Sequence, residues 1–136
     1  MNDKAQGESR RTQTSANHWA AIFVRLSLAA AFLSAVADRF GLWGAPGNVG
    51  VAWGNIENYE SYVDTLAWYV PTTFISVLGW IATLAEISIA VGLIVGWQLR
   101  WFALAAGLLL TMFALAMLIA LGPKSPLDYS VLSAAS

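Results

Sequence analysis

Residues 72–121 read TTFISVLGWIATLAEISIAVGLIVGWQLRWFALAAGLLLTMFALAMLIAL. Two apolar runs, Thr72–Trp97 and Trp101–Leu121, are joined through the short turn Gly96-Trp97-Gln98-Leu99-Arg100, and Glu86 is the only charged residue within either run. About 20 residues at ~1.5 Å rise each cross a hydrocarbon core ~30 Å thick, so both runs are long enough to span a bilayer as helices. A turn this tight makes them an antiparallel hairpin. Pro71 stands where a helix tolerates proline, at its start. Gly122-Pro123 is a stop signal at the far end.

The rest of the chain agrees. Of its 136 residues 58% are hydrophobic and 11% charged, whereas soluble domains carry about a quarter charged residues. A water-soluble domain of this size could not hide so much apolar surface, and residence in a lipid bilayer removes the conflict. Seven Lys/Arg against eight Asp/Glu leave a net charge of −1, so there is no basic footprint for nucleic acid. With no cysteine, a disulfide, a CxxC redox pair, thiolate metal ligands and a cysteine nucleophile are excluded. The single histidine, His18, makes no metal site by itself.

Working toward the N-terminus, Trp19–Ala37 is a further apolar run of spanning length, and residues 1–17 read as a disordered polar tail. Arg10, Arg11 and the triplet Ala35-Val36-Ala37 give the run a rival reading as a signal peptide. Arg25 within it, and a length beyond the ~7–15 residues of a signal-peptide core, favour an uncleaved helix. Between the first two runs, Gly41, Gly44, Pro46, Gly47, Asn48, Gly50 and Gly54 predict loop. From Asn55 a helical period returns: Ile56, Tyr59, Val63, Leu66 and Val70 share one side, with Glu57, Glu60 and Asp64 on another. With Trp43, Trp53, Tyr62, Trp68 and Tyr69 close by, this segment fits an amphipathic helix in the membrane interface; a helix packed over the mouth of the bundle is the alternative. After Gly122-Pro123, a partial fourth helix is expected from Asp128, too short before Ser136 to span. Lys4, Arg10, Arg11 and Arg100 on one side, against Arg39 and Lys124 on the other, put the N-terminus in the cytoplasm.

Two charges fall inside the spans. A charged side chain at the centre of a membrane helix costs about 2.5–3.5 kcal/mol on insertion scales, so it usually has a partner or a task. Arg25 lies roughly 9 Å from the inner edge and Glu86 about 21 Å from the outer edge of a ~30 Å core, which predicts similar depths and an Arg25–Glu86 pair. The alternatives are a proton or ligand site at Glu86, and an Arg25 that snorkels to the headgroups beside a neutral Glu86. Gly79, Ala82, Thr83 and Ala90 leave space beside the carboxyl. Ser88/Gly92/Gly96 and Ala103/Gly107/Thr111 are small-residue stripes that predict close packing of the second and third spans. Met112 and Met117 read as filler. Asp38 and Arg39 read as a helix cap or a local pair. No phosphate-binding glycine loop and no Ser/His/Asp arrangement is apparent.

Ala85-Glu86-Ile87, followed by Gly92 through Arg100, resembles the signature of the DoxX family: a Glu in the second helix, a glycine-bearing apolar run, a short turn and an Arg. Arg25 matches an arginine early in that family's first helix. Phe32–Trp43 (FLSAVADRFGLW), with Asp38 and Arg39, and Pro126–Ser130 (PLDYS), with Asp128, resemble a DoxX-like, MauE-related branch. The resemblance runs over nearly all the chain from Trp19. It implies an antiparallel four-helix transmembrane bundle of the bacterial cytoplasmic membrane, here with three full spans and the start of a fourth. Some relatives are subunits of a thiosulfate:quinone oxidoreductase, and others serve membrane redox complexes or the maturation of methylamine dehydrogenase. The expected function is therefore an accessory subunit of a quinone-linked redox complex. It has no intrinsic cofactor and at most a subunit's share in catalysis, with Glu86 and Arg25 at a quinone or proton site and Arg100, Asp38, Arg39 and Asp128 as family-like polar positions. The alternative is a non-enzymatic assembly or scaffold protein whose acidic segment docks an extracytoplasmic partner.

Overall fold

A computed structural model describes residues 2–128. Every regular element among them is helical: α1 (Asn2–Arg39), α2 (Ile56–Leu66), a 3₁₀ turn at Thr72–Phe74, α3 (Ile75–Val95), α4 (Leu99–Leu121) and α5 (Lys124–Asp128). Three segments are long and apolar enough to cross a membrane: Asn17–Arg39, Thr72–Val95 and Leu99–Leu121. Each agrees with an expected span to within two residues. The fourth span expected from Asp128 lies outside the described residues, so the four-helix count stays with the resemblance.

The N-terminal segment differs from expectation. α1 is continuous from Asn2, so residues 2–17 extend the first span as helix where a disordered tail is predicted. Elongation costs little once the apolar part has nucleated the helix, and Ala, Gln, Glu and Arg here are adequate helix formers.

α3 is the central helix. It packs along α1 on one side and α4 on the other, while α1 and α4 make next to no contact. Accordingly 39% of the α3 span is buried, against 17% for each of the other two. Ala29 and Phe32 of α1, Ile89, Ala90 and Leu93 of α3, and Ala106 of α4 form the main core. Outside it, Phe23, Val24, Ile81, Val91, Leu104, Leu108, Leu115 and Ile119 stand exposed, an apolar surface that water would not tolerate on three long helices. Trp19, Trp97 and Trp101 are exposed at one end of the bundle and Trp43, Trp68 and Tyr69 in the loop segments at the other, the placement of aromatic belts at two interfaces.

The hairpin turn uses two left-handed residues, Gly96 (φ 74°) and Gln98 (φ 43°). Of the two small-residue stripes, Gly92 has the clearest packing role: its Cα faces the ring of Phe102 so closely that a Cβ would overlap it. Ser88 and Thr111 are exposed and bond their hydroxyls to the carbonyls of Leu84 and Gly107, which satisfies them without a neighbouring helix.

α2 starts at Asn55, whose side chain accepts the Asn58 N–H at 2.8 Å, an N-cap of the usual kind. Tyr59, Val63 and Ala67 pack against Ile75, with Trp53, Ile56 and Val70 around them. The apolar face of α2 is thus turned toward the bundle mouth, the alternative to a helix that buries this face in lipid. Glu60 Oε1 accepts the Ser76 hydroxyl at 2.6 Å, a second tie between α2 and α3.

Candidate functional site

The site grows from the C-terminal end of α1. Asp38 and Arg39 are both buried, and they turn away from each other. Asp38 Oδ2 accepts the backbone N–H groups of Ala52 and Trp53 at 3.0 and 2.8 Å, which pins the end of the glycine-rich loop beside the helix. Arg39 turns into the bundle. Its Nη1 donates to Thr83 Oγ1 at 2.8 Å, and its Nη2 donates to Glu86 Oε1 at 2.9 Å and lies 2.8 Å from Oε2. The guanidinium carbon sits 3.8 Å from the ring centroid of Tyr59 and 5.4 Å from that of Trp53. A cation over aromatic faces gains most where water is excluded, and both partners of this ion pair are nearly inaccessible, at 2% and 3% exposure.

Glu86 therefore has a partner, and it is Arg39 in place of the expected Arg25. Arg25 donates from Nε and Nη2 to the carbonyl of Leu93 at 3.1 and 2.8 Å, and its guanidinium lies against Gly96 at the hairpin turn. Leu93 is seven residues beyond Glu86, about 10 Å of helix. Arg25 caps the carbonyl end of α3, where a cation is favoured. Arg100 is exposed on the first turn of α4 and does not join the cluster. Asp128 closes α5 and is the last described residue.

Two members of the site were not singled out from the sequence as functional. Thr83 precedes Glu86 by three residues and so shares its helix face, a signal that was legible. Tyr59 sits on the apolar face of α2, where an aromatic reads as core. It is 2% exposed, and burial pushes its phenol up to about 12, against the opposing pull of Arg39.

Beside this polar cluster lies an open cleft of about 850 Å³. Leu28, Ala31, Phe32 and Ala35 of α1 form one wall and Leu110, Phe113 and Met117 of α4 the other, with Asp38, Arg39, Tyr59 and Glu86 at its head. The volume is within the range of small-molecule sites, and the combination of apolar walls with a few convergent polar groups is their usual composition. α1 and α4 scarcely touch, and the loop and α2 also contribute to the lining through Trp43, Trp53 and Tyr62. No family model, no curated protein and no solved structure matches this chain. The reading of the site therefore rests on its own geometry and on the sequence resemblance. Among the described residues no three His, Cys, Asp or Glu side chains come together as a metal site. What the arrangement offers chemically is a dry, preorganised ion pair and a phenol at the end of an apolar trough.

Proposed function

We propose that the protein is a DoxX-like accessory subunit of a quinone-linked redox complex in the bacterial cytoplasmic membrane, and that its cleft holds a lipophilic quinone with the head group toward Arg39 and Glu86. The observation that carries this reading is the cleft itself, lined by apolar side chains of α4 and, Ser34 apart, of α1, with its charged groups Asp38, Arg39 and Glu86 together at one place. A molecule with an isoprenoid tail and a hydrogen-bonding ring has this distribution of polarity. Glu86 is the hydrogen-bond partner or proton acceptor of the head group. Arg39 takes the role first given to Arg25, holding Glu86 ionised and in place. Electrons come from the bound quinone or a partner subunit.

The test is purification in mild detergent of wild type and Glu86→Gln, with mass spectrometry of the retained lipophilic molecules and proteins. Quinone and a redox partner held by wild type, with quinone lost from Glu86→Gln, is the expected result. Equal retention of quinone by both proteins overturns the role of Glu86.

A second reading has its own support. The Arg39–Glu86 pair is almost entirely buried, and a buried pair can act simply as a lock that fixes the register of two helices. In that case the protein is an assembly factor, and the exposed carboxylates Glu57 and Asp64 of α2 face its partner. Protein partners retained without quinone, and unaffected by Glu86→Gln, would select it.

A further inference from the structure

Tyr59 lines the cleft head and is 2% exposed, yet its hydroxyl has no hydrogen-bond partner among the described residues. A buried hydroxyl without a partner is costly, and phenylalanine would fill the same space without that cost. Its polar neighbours are engaged but not exhausted: Thr83 stands close enough to act on the phenol as a hydrogen-bonding neighbour, and Glu86 Oε2 is a buried acceptor that makes no hydrogen bond. Thr83 Oγ1 gives its proton to the Gly79 carbonyl at 2.9 Å and accepts from Arg39 at 2.8 Å. Arg39 meets the face of the Tyr59 ring and spends its Nη2 on Glu86. Arg39 Nε–H is a second buried donor without a partner. The Tyr59 hydroxyl, Arg39 Nε–H and Glu86 Oε2 are thus polar atoms without hydrogen-bond partners on residues that line the cleft.

We propose that the Tyr59 hydroxyl is the donor that recognises a carbonyl oxygen on the head group of the molecule in the cleft, which makes a planar carbonyl-bearing lipophile the ligand class. The proposal rests on the cleft being a ligand site, as set out above. The ring and the hydroxyl have separable tasks. The ring covers Arg39 and packs beside Gly79; the hydroxyl is left for the ligand. With its phenol pushed up to about 12, Tyr59 keeps its proton throughout the physiological range and is available only as a neutral donor or acceptor.

Tyr59→Phe removes the hydroxyl and keeps the ring. Decylubiquinone is the probe, titrated into full-length wild type, Tyr59→Phe and Tyr69→Phe in the same detergent. Quenching of tryptophan fluorescence gives the affinity, since Trp43 and Trp53 line the cleft, and thermal unfolding of the ligand-free proteins is followed in parallel. The expected result is that Tyr59→Phe binds roughly five- to tenfold more weakly, the factor carried by one hydrogen bond of ordinary strength. Its unfolding temperature should be unchanged or higher, and Tyr69→Phe, altered at an exposed ring outside the cleft, should match wild type. Equal binding by wild type and Tyr59→Phe overturns the role of the hydroxyl and leaves the cleft as a ligand site. A lower unfolding temperature together with weaker binding shows instead that the hydroxyl holds the fold through a buried water, and also overturns the proposal. A wild type that does not bind the probe removes the ligand reading and this inference together.

Discussion

At Arg39 a guanidinium is held by a carboxylate, a threonine hydroxyl and the face of a phenol, in a place water does not reach. Such a pair is worth little compared with an apolar replacement of the same volume, but losing one partner strands the other. Arg39→Leu should therefore lower stability by about 3–5 kcal/mol, whereas Arg39→Leu combined with Glu86→Leu should recover most of that loss. Thermal unfolding in detergent of the two single variants and the double variant measures the coupling directly. Strictly additive losses would show that the two side chains do not act as a pair. Glu86 was visible in the sequence because one carboxylate in an apolar helix stands out against every neighbour. Its partner was not. Spans matched end to end would put Arg25 beside Glu86, whereas Arg39, the last residue of α1, meets Glu86 midway along α3. Arg25 consequently falls level with the turn, and Arg39 reaches Glu86 from the opposite end. Tyr59 gave no signal at all, because a buried tyrosine and a ligand-reading tyrosine have the same place in an amphipathic pattern.

At the scale of elements, the three spans and the tight hairpin were legible because hydrophobic length and turn residues are local properties. Their neighbours were less so. α2 was placed correctly by its period, but which way its apolar face turns depends on whether α3 offers a surface for it, and Ile75 and Gly79 do. The small-residue stripes pointed to close packing and could not say which of their members face another helix. Gly92 is the decisive one, since the ring of Phe102 occupies the space a side chain would need. Gly92→Ala should separate α3 from α4 and lower stability by about 1–3 kcal/mol, the range for overpacked cores. Phe102→Leu in the same protein should restore part of it by making room. Ser88→Ala, at an exposed position on the same stripe, should stay within ~0.5 kcal/mol of wild type. If Gly92→Ala is neutral in thermal unfolding, the hairpin is not held by this contact.

For the molecule as a whole, the distribution of charge predicts an orientation that labelling can test. The counted basic residues favoured a cytoplasmic N-terminus, with Arg39 counted on the opposite side. Arg39 is buried in an ion pair, so it no longer offers an exposed charge there. Arg25 reaches the turn between α3 and α4 and adds its charge to that of Arg100 at that end. The charge bias that predicts a cytoplasmic turn and N-terminus becomes larger, and the same prediction turns the glycine loop and α2 outward. The sequence carries no cysteine, so single cysteines can be introduced without a background. Asn48→Cys in the exposed loop and Gln98→Cys in the exposed turn place one thiol at each end of the bundle. In intact cells a membrane-impermeant maleimide should label Asn48→Cys and leave Gln98→Cys unlabelled until the membrane is opened. The reverse pattern would put the head of the cleft at the cytoplasmic side, and any redox partner with it.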